Sequence, residues 1–568
     1  MIRLSSQWWL VRAVVALTTM AFFAPLLSVY PGLYIPSPYP DALEFIWTTW
    51  RIQGVLEGTR ELYTTQELFA PEGASLLLHT VCEGILIPVT FLLKQLDPVW
   101  RFNGAIILLF LANGLAAISF VRVLGGSPQV TTLASLLIVF APFQMGHLLA
   151  GHLNFLVLFP LLEVCTTLVV FGRDTVQGRR LGIYALRLIF ALFLLGRTNL
   201  YYLYFAGLLI IVFSMRYALV EGFVRTRLVF LWGIGAVGMV FNITHLYSIA
   251  RLALSKRYTP DHDPLTTSAD LLAYVVPSSL QLLGTLPAVA RARAGVAFHE
   301  GETSLFLGAM LLVAAFISYR FRGPTYKGEQ RFFMVLACSG VIVSLGPVVL
   351  LAGTPLFANP VDYLARTYLP LYPSVPARFG LIATLFLVGS AVSGSYLEDK
   401  SLMRRVLVVC LLLSMVEIFP SRYTLTELTS SSPALTRLRD DPSVKLVVDQ
   451  PVIMQHAMLR QVYHEKPIVG GFLSRRPRKA EREVRGNPFV QFVSGISTKH
   501  SMNARRAAWC KLGADALLLE APRAQILLPE LAVIGLSMVD SDEHIWIFKP
   551  HVDLCGGTSS DRVSDRSA

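Results

Sequence analysis

Apolar residues in this chain gather into runs, many of them near twenty residues long, separated by short polar stretches. The runs fall at 11–30, 103–121, 130–145, 154–171, 181–195, 200–217, 228–247, 304–319, 332–351, 380–395 and 406–419. A helix needs ~20 such residues to cross ~30 Å of hydrocarbon, so the pattern predicts a polytopic α-helical membrane protein with about eleven spans. The pattern changes after residue 420. Short apolar stretches at 445–449, 516–520, 532–535 and 545–549 predict buried strands with helical segments between them. The expected organisation is therefore a transmembrane domain over 1–420 and a small soluble α/β domain over 421–568.

Basic residues orient these runs. Clusters containing Arg173 and Arg180, Arg216 and Arg227, Arg320 and Arg331, and Lys400 and Arg405 occupy short loops, which belong on the cytoplasmic side. Two spans separate each cluster from the next. With Arg3 and Arg12 also inside, the apolar stretch 76–96 cannot be a full span, because every later basic loop would then flip. It holds His79, Glu83 and Pro88, which are costly in lipid and usually face a cavity. We read it as a re-entrant or in-plane helix within one long first external loop, 31–102. The N-terminus is then cytoplasmic, and the C-terminal domain extracytoplasmic. The segment holding Phe45, Trp47 and Trp50 is expected to lie flat in the headgroup layer.

Composition agrees with this class. The chain has 568 residues, 54% of them hydrophobic and only 15% charged, with a mean hydropathy of +0.56; soluble domains average about 25% charged. Cytoplasmic loops account for much of the basic charge behind the net +12, so nucleic acid is not an expected partner. Six cysteines show no metal-type spacing. Cys510 and Cys555 share the soluble region, as one disulfide or as two buried thiols.

The polar residues on the external side are the candidates for chemistry. Asp41 follows the first span, where a carboxylate can act as a base on a substrate outside the lipid. Its structural alternative is a helix N-cap, with Glu44 as the capping-box partner; Glu44 is otherwise a second acid beside it. His79 and Glu83 are spaced to share one face of the stretch 76–96 if it is helical. His147 and His152 bracket an external turn. Arg197 and Arg378 stand at external span ends, where a guanidinium can clamp a phosphate or anchor the helix at the interface. His299, Glu300 and Glu302 lead into another span, and Glu163 is an intramembrane acid. Six histidines fall in or next to external segments, five lie in the tail, and none sits in a cytoplasmic loop.

In this order, Asp41, the Trp47/Trp50 segment, Phe69-Ala70-Pro71-Glu72-Gly73, Gly301-Glu302 with Leu307-Gly308, and Val375-Pro376-Ala377-Arg378-Phe379 resemble bacterial members of the GT-C glycosyltransferase superfamily. The likeness is to the clan of protein mannosyltransferases and lipid A aminoarabinose transferases. It implies a multi-pass protein of the bacterial inner membrane that transfers a sugar from a polyprenyl-phosphate donor to a glycan, lipid or protein acceptor, with Asp41 as the base. Glu44, His79, Glu83, His152, Arg197, Glu302 and Arg378 would line the substrate site. No second acid follows Asp41 in an Asp-Glu or Asp-x-Asp pattern, so a divalent metal such as magnesium or manganese, or none, stays open. Two competing readings are a transporter or flippase of a lipid-linked glycan, and an O-antigen polymerase or ligase that relies on external arginines and histidines.

Overall fold

The computed structural model describes residues 6–172, 179–219, 225–259, 263–296, 300–321, 324–368, 374–393, 401–420, 424–428, 432–497, 499–552 and 554–555. The basic loop residues Arg173, Asp174, Lys400 and their neighbours, and also His262 and His299, lie outside the described residues.

Five helices among the described residues are long and apolar enough to cross a bilayer: Pro98–Val123, Pro128–Ala150, Leu153–Phe171, Arg180–Thr198 and Leu200–Leu219. A sixth is the pair Arg227–Val240 and Ile243–Leu254, if its 65° bend lies within one span. Helices Ser6–Phe22, Ala309–Phe321, Pro324–Ser344, Pro376–Val392 and Ser401–Ile418 occupy the positions of the other apolar runs. They are shorter or interrupted by charged residues. Local chemistry sets the boundaries. Asp97 accepts from the backbone N–H groups of Val99 and Trp100, and Pro98 opens the helix behind it. Ser127 caps the next helix in the same way. Pro142 breaks that helix between Val139 and its second segment, Pro142–Ala150.

The stretch 76–96 forms only one short helix, Glu83–Leu92. Ten residues rise about 15 Å, half the hydrocarbon thickness. Cys82, in the left-handed region at φ 54°, precedes it. His79 therefore sits in the preceding loop, and the expected shared helical face of His79 and Glu83 does not form.

The helix Asp41–Leu56 corrects a second expectation. Trp47 is fully buried and Trp50 nearly so, inside the protein rather than among headgroups. The helix Gln455–His464 covers them, and the Trp47 indole N–H donates to Gln461 Oε1 at 2.8 Å. Around this contact the first loop and the C-terminal segment share a core that includes Trp47, Leu76, Leu435, Met458 and Leu473. Their backbones also pair: Phe69 and Ala70 N–H groups donate to the carbonyls of Gly470 and Ile468.

The C-terminal segment carries a four-stranded sheet in the order Val447–Asp449, Ala516–Glu520, Ile545–Pro550, Leu536–Ser541. The first pair is parallel and the other two antiparallel. Residues 532–534, expected as part of a strand, instead close the helix Ala521–Ile534. Gly535, at φ +95°, ends that helix in the left-handed conformation and releases the chain into the strand at Leu536. Cys510 and Cys555 are joined as a disulfide across 45 residues.

Candidate active site

Asp41 is the first residue of its helix, and the N-cap position belongs to Pro40, which makes no side-chain cap. The capping box, the alternative reading of Asp41 and Glu44, is thus absent, and the Asp41 carboxylate turns to other partners. Its Oδ2 lies 2.8 Å from His152 Nε2, and its Oδ1 accepts from Gln455 Nε2 at 2.8 Å. One partner comes from a membrane helix pair and the other from the C-terminal segment. The side chain keeps 35% of its exposure, so a solute can still reach it.

His152 is aimed by the turn before it. Gly151 adopts φ +80°, and a Cβ there would come within 2.4 Å of the Ala42 backbone nitrogen. Only glycine lets the turn approach the start of the Asp41 helix this closely. His152 Nδ1 meets His147 Nδ1 at 2.9 Å. His147 is fully buried and stacks on Phe155 with ring centres 4.6 Å apart.

Behind the two histidines stands Glu302, 3.8 Å from each of them. Arg378 grips it, with Nη2 2.5 Å from Oε1 and Nε 3.1 Å from Oε2. The guanidinium in turn lies 4.1 Å over the Phe155 ring and 4.6 Å over Tyr201. Burial pushes the Glu302 carboxyl up, but Arg378 and then His147 outweigh it and hold the group below the usual carboxylate range. Glu44 responds the other way. Burial, and then the negative charge of Asp41, raise its carboxyl well above the ordinary value.

No family model matches this chain, and no curated protein matches it. Solved structures do. The oligosaccharyltransferase of Archaeoglobus fulgidus, in its apo form, superposes with a TM-score of 0.57 at 11% identity, covering 94% of this chain and 72% of the other. The arabinofuranosyltransferase AftD from Mycobacteria gives 0.59 at 16% identity over 98% of this chain. This chain spans 42% of the AftD length. The chain has the GT-C fold.

With that fold and its apolar helices, the chain is an integral membrane protein. Of the residues singled out from sequence, the GT-C fold brings Asp41, His152, Glu302 and Arg378 into one chain of contacts. Glu83 and Arg197 belong to a second group. There the Tyr63 hydroxyl donates to Glu83 Oε1 at 2.8 Å, and Arg197 Nη1 donates to the Tyr63 oxygen at 3.0 Å. Arg197 and His245 each stand 3.8 Å from Glu83. Burial raises the Glu83 carboxyl, and the Tyr63 bond only partly opposes it. Glu163 pairs with Arg187.

His79 stands apart from both groups, buried beside the C-terminal segment. The Ser474 backbone N–H donates to its Nδ1 at 3.3 Å, and the Ser474 hydroxyl lies 3.1 Å from the same atom. Burial lowers its pKa to about 4 even though the charge of Asp41 pulls it upward. The neutral ring accepts at Nδ1 and so carries its proton on Nε2, a buried atom with no hydrogen-bond partner among the described residues.

His147, Tyr63, His245, Ser474 and Gln455 complete these groups and were not among the residues assigned to the site from sequence. The spacing of His147 and His152 around Gly151 was a visible signal; nothing near Gln455 marks it. As metal donors, His147, His152 and Glu302 offer one atom each within 4.8 Å of one another. Two imidazoles and one carboxylate suit manganese or zinc; magnesium prefers an all-oxygen octahedron.

Proposed function

We propose that this chain is a membrane glycosyltransferase. It moves a sugar from a polyprenyl-phosphate donor to a hydroxyl of a glycan, lipid or protein acceptor on the extracytoplasmic face, with Asp41 as base. The observation that carries this reading is the setting of Asp41. Its two oxygens each take one directed contact, the group remains accessible, and buried cationic and imidazole side chains lie directly behind it. Both structural neighbours are named as sugar transferases.

In this reading Asp41 takes the proton of the acceptor hydroxyl as its oxygen bonds to the anomeric carbon. The bond from that carbon to the phosphate oxygen breaks, and the electron pair leaves with the polyprenyl phosphate. A weakly basic phosphate leaves without a general acid, so positive charge and N–H donors suffice to hold it. Arg197 is the cation assigned to that role. Glu302 and Arg378 neutralise each other, and so build the wall behind His152 without adding net charge. A divalent ion held by His147, His152 and Glu302 would supply further charge stabilisation to the leaving phosphate.

The test uses the full chain in nanodiscs with undecaprenyl-phosphate sugars labelled in the sugar, following label that leaves the lipid-phosphate donor. Asp41→Asn keeps the shape and removes the base, and kcat is expected to fall by about 10² or more. Turnover by Asp41→Asn at the parent rate would instead favour a mechanism run by arginines and histidines.

A further inference from the structure

We propose that Gln455, carried by the C-terminal segment, is a positioning residue for Asp41, so that docking of this segment completes the transfer site. The inference rests on the base reading above.

The geometry is a matched pair of helices. Asp41 opens the helix Asp41–Leu56, and Gln455 opens the helix Gln455–His464. Gln455 donates to Asp41, and six residues further along Gln461 accepts from Trp47. Both bonds join residues 414 apart in sequence. An equal offset at two points means that the helices run parallel and in register. Sliding one by a single residue rotates its side chains by ~100° and breaks both bonds together. The Gln461 amide is itself held, its NH2 donating to the carbonyls of Glu67 and Lys466 at 2.8 and 3.0 Å. The register is therefore clamped at the far end, and Gln455 is delivered to the carboxylate.

What Gln455 does there follows from its chemistry. Only its NH2 can donate to a carboxylate, and the residue is 5% exposed. With His152 on Oδ2, the Gln455 bond on Oδ1 fixes the rotation of the carboxyl plane. Two of its about four acceptor positions are then taken, which leaves capacity for an incoming hydroxyl. Ser474 of the same segment sets which nitrogen of His79 bears the proton. The C-terminal segment thus orients Asp41 within a site otherwise built from the first loop and the membrane helices.

A double-mutant cycle on the full chain tests this, read as kcat and donor KM in the nanodisc assay. Gln455→Met keeps the length and removes the donor. It is expected to lower kcat about tenfold while KM stays within about twofold. In the Asp41→Asn background it is expected to add no further loss, because there is no base left to orient. Gln461→Met, which cuts the clamp to Trp47 without touching Asp41, is the comparison for a general docking defect, and unfolding temperatures control for folding. The inference is overturned if Gln455→Met turns over like the parent, if its loss multiplies with that of Asp41→Asn, or if Gln461→Met reproduces its whole effect. An active Asp41→Asn single variant sinks the base reading itself, which separates that failure from a failure confined to Gln455.

Discussion

Asp41 and Glu83 are two carboxylates of the same loop, yet their surroundings differ in kind. Asp41 keeps 35% of its side-chain exposure and takes one directed contact on each oxygen. Glu83 keeps 9%, accepts from the Tyr63 hydroxyl, and has Arg197 and His245 at 3.8 Å. A base has to be reachable by its substrate, whereas a carboxyl that burial pushes toward its neutral form is suited to holding neighbours in place. The difference lies in solvation and partners; the residue class is the same.

The largest expected effect breaks the comparison directly. Asp41→Asn should lose about 10² or more in kcat, while Glu83→Gln, which keeps a partner for Tyr63, should lose less than about tenfold. Equal losses in the nanodisc assay would erase the distinction. Next comes the carboxylate that supports Asp41 from behind. Glu302→Gln removes the negative charge paired with the buried Arg378 guanidinium and should cost about 3 kcal/mol, read by chemical denaturation.

His79 sharpens the comparison through pH. Its pKa is about 4 in the folded chain, against an ordinary value of 6.5. The unfolded chain therefore binds the proton first, and stability falls as pH is lowered from about 6.5 toward about 4. The loss should reach roughly 3 kcal/mol, and the matching part of the acid-side decline in unfolding temperature should vanish in His79→Gln. Smallest is Tyr63→Phe, which deprives Glu83 of the Tyr63 hydroxyl bond. About 1–2 kcal/mol of stability and little change in kcat are expected, measured on the same preparation.

Several local patterns in the sequence were decided by one cause. Pro40-Asp41-Ala42-Leu43-Glu44 has the spacing of a capping box, but Pro40 takes the cap position and Asp41 turns to residues far along the chain. His79 and Glu83 have helical spacing, but the left-handed Cys82 starts the helix after His79. Trp47 and Trp50 look like interfacial anchors because the helix that buries them lies more than 400 residues away. In each case a local pattern admitted two outcomes, and remote packing selected one. The boundary at Gly535 differs, since a helix ending at a glycine is a local signal.

The chain by itself determined the class of the molecule. Apolar run length, the placement of basic loops and a carboxylate just past the first run are properties of consecutive residues, set by the cost of taking polar groups into lipid. Only the tertiary structure decided which charges meet. The bond from Gln455 to Asp41, the grip of Arg378 on Glu302 and the opposite shifts of Glu302 and Glu44 depend on helix register and on desolvation by distant side chains. Neither quantity is defined until the chain has folded.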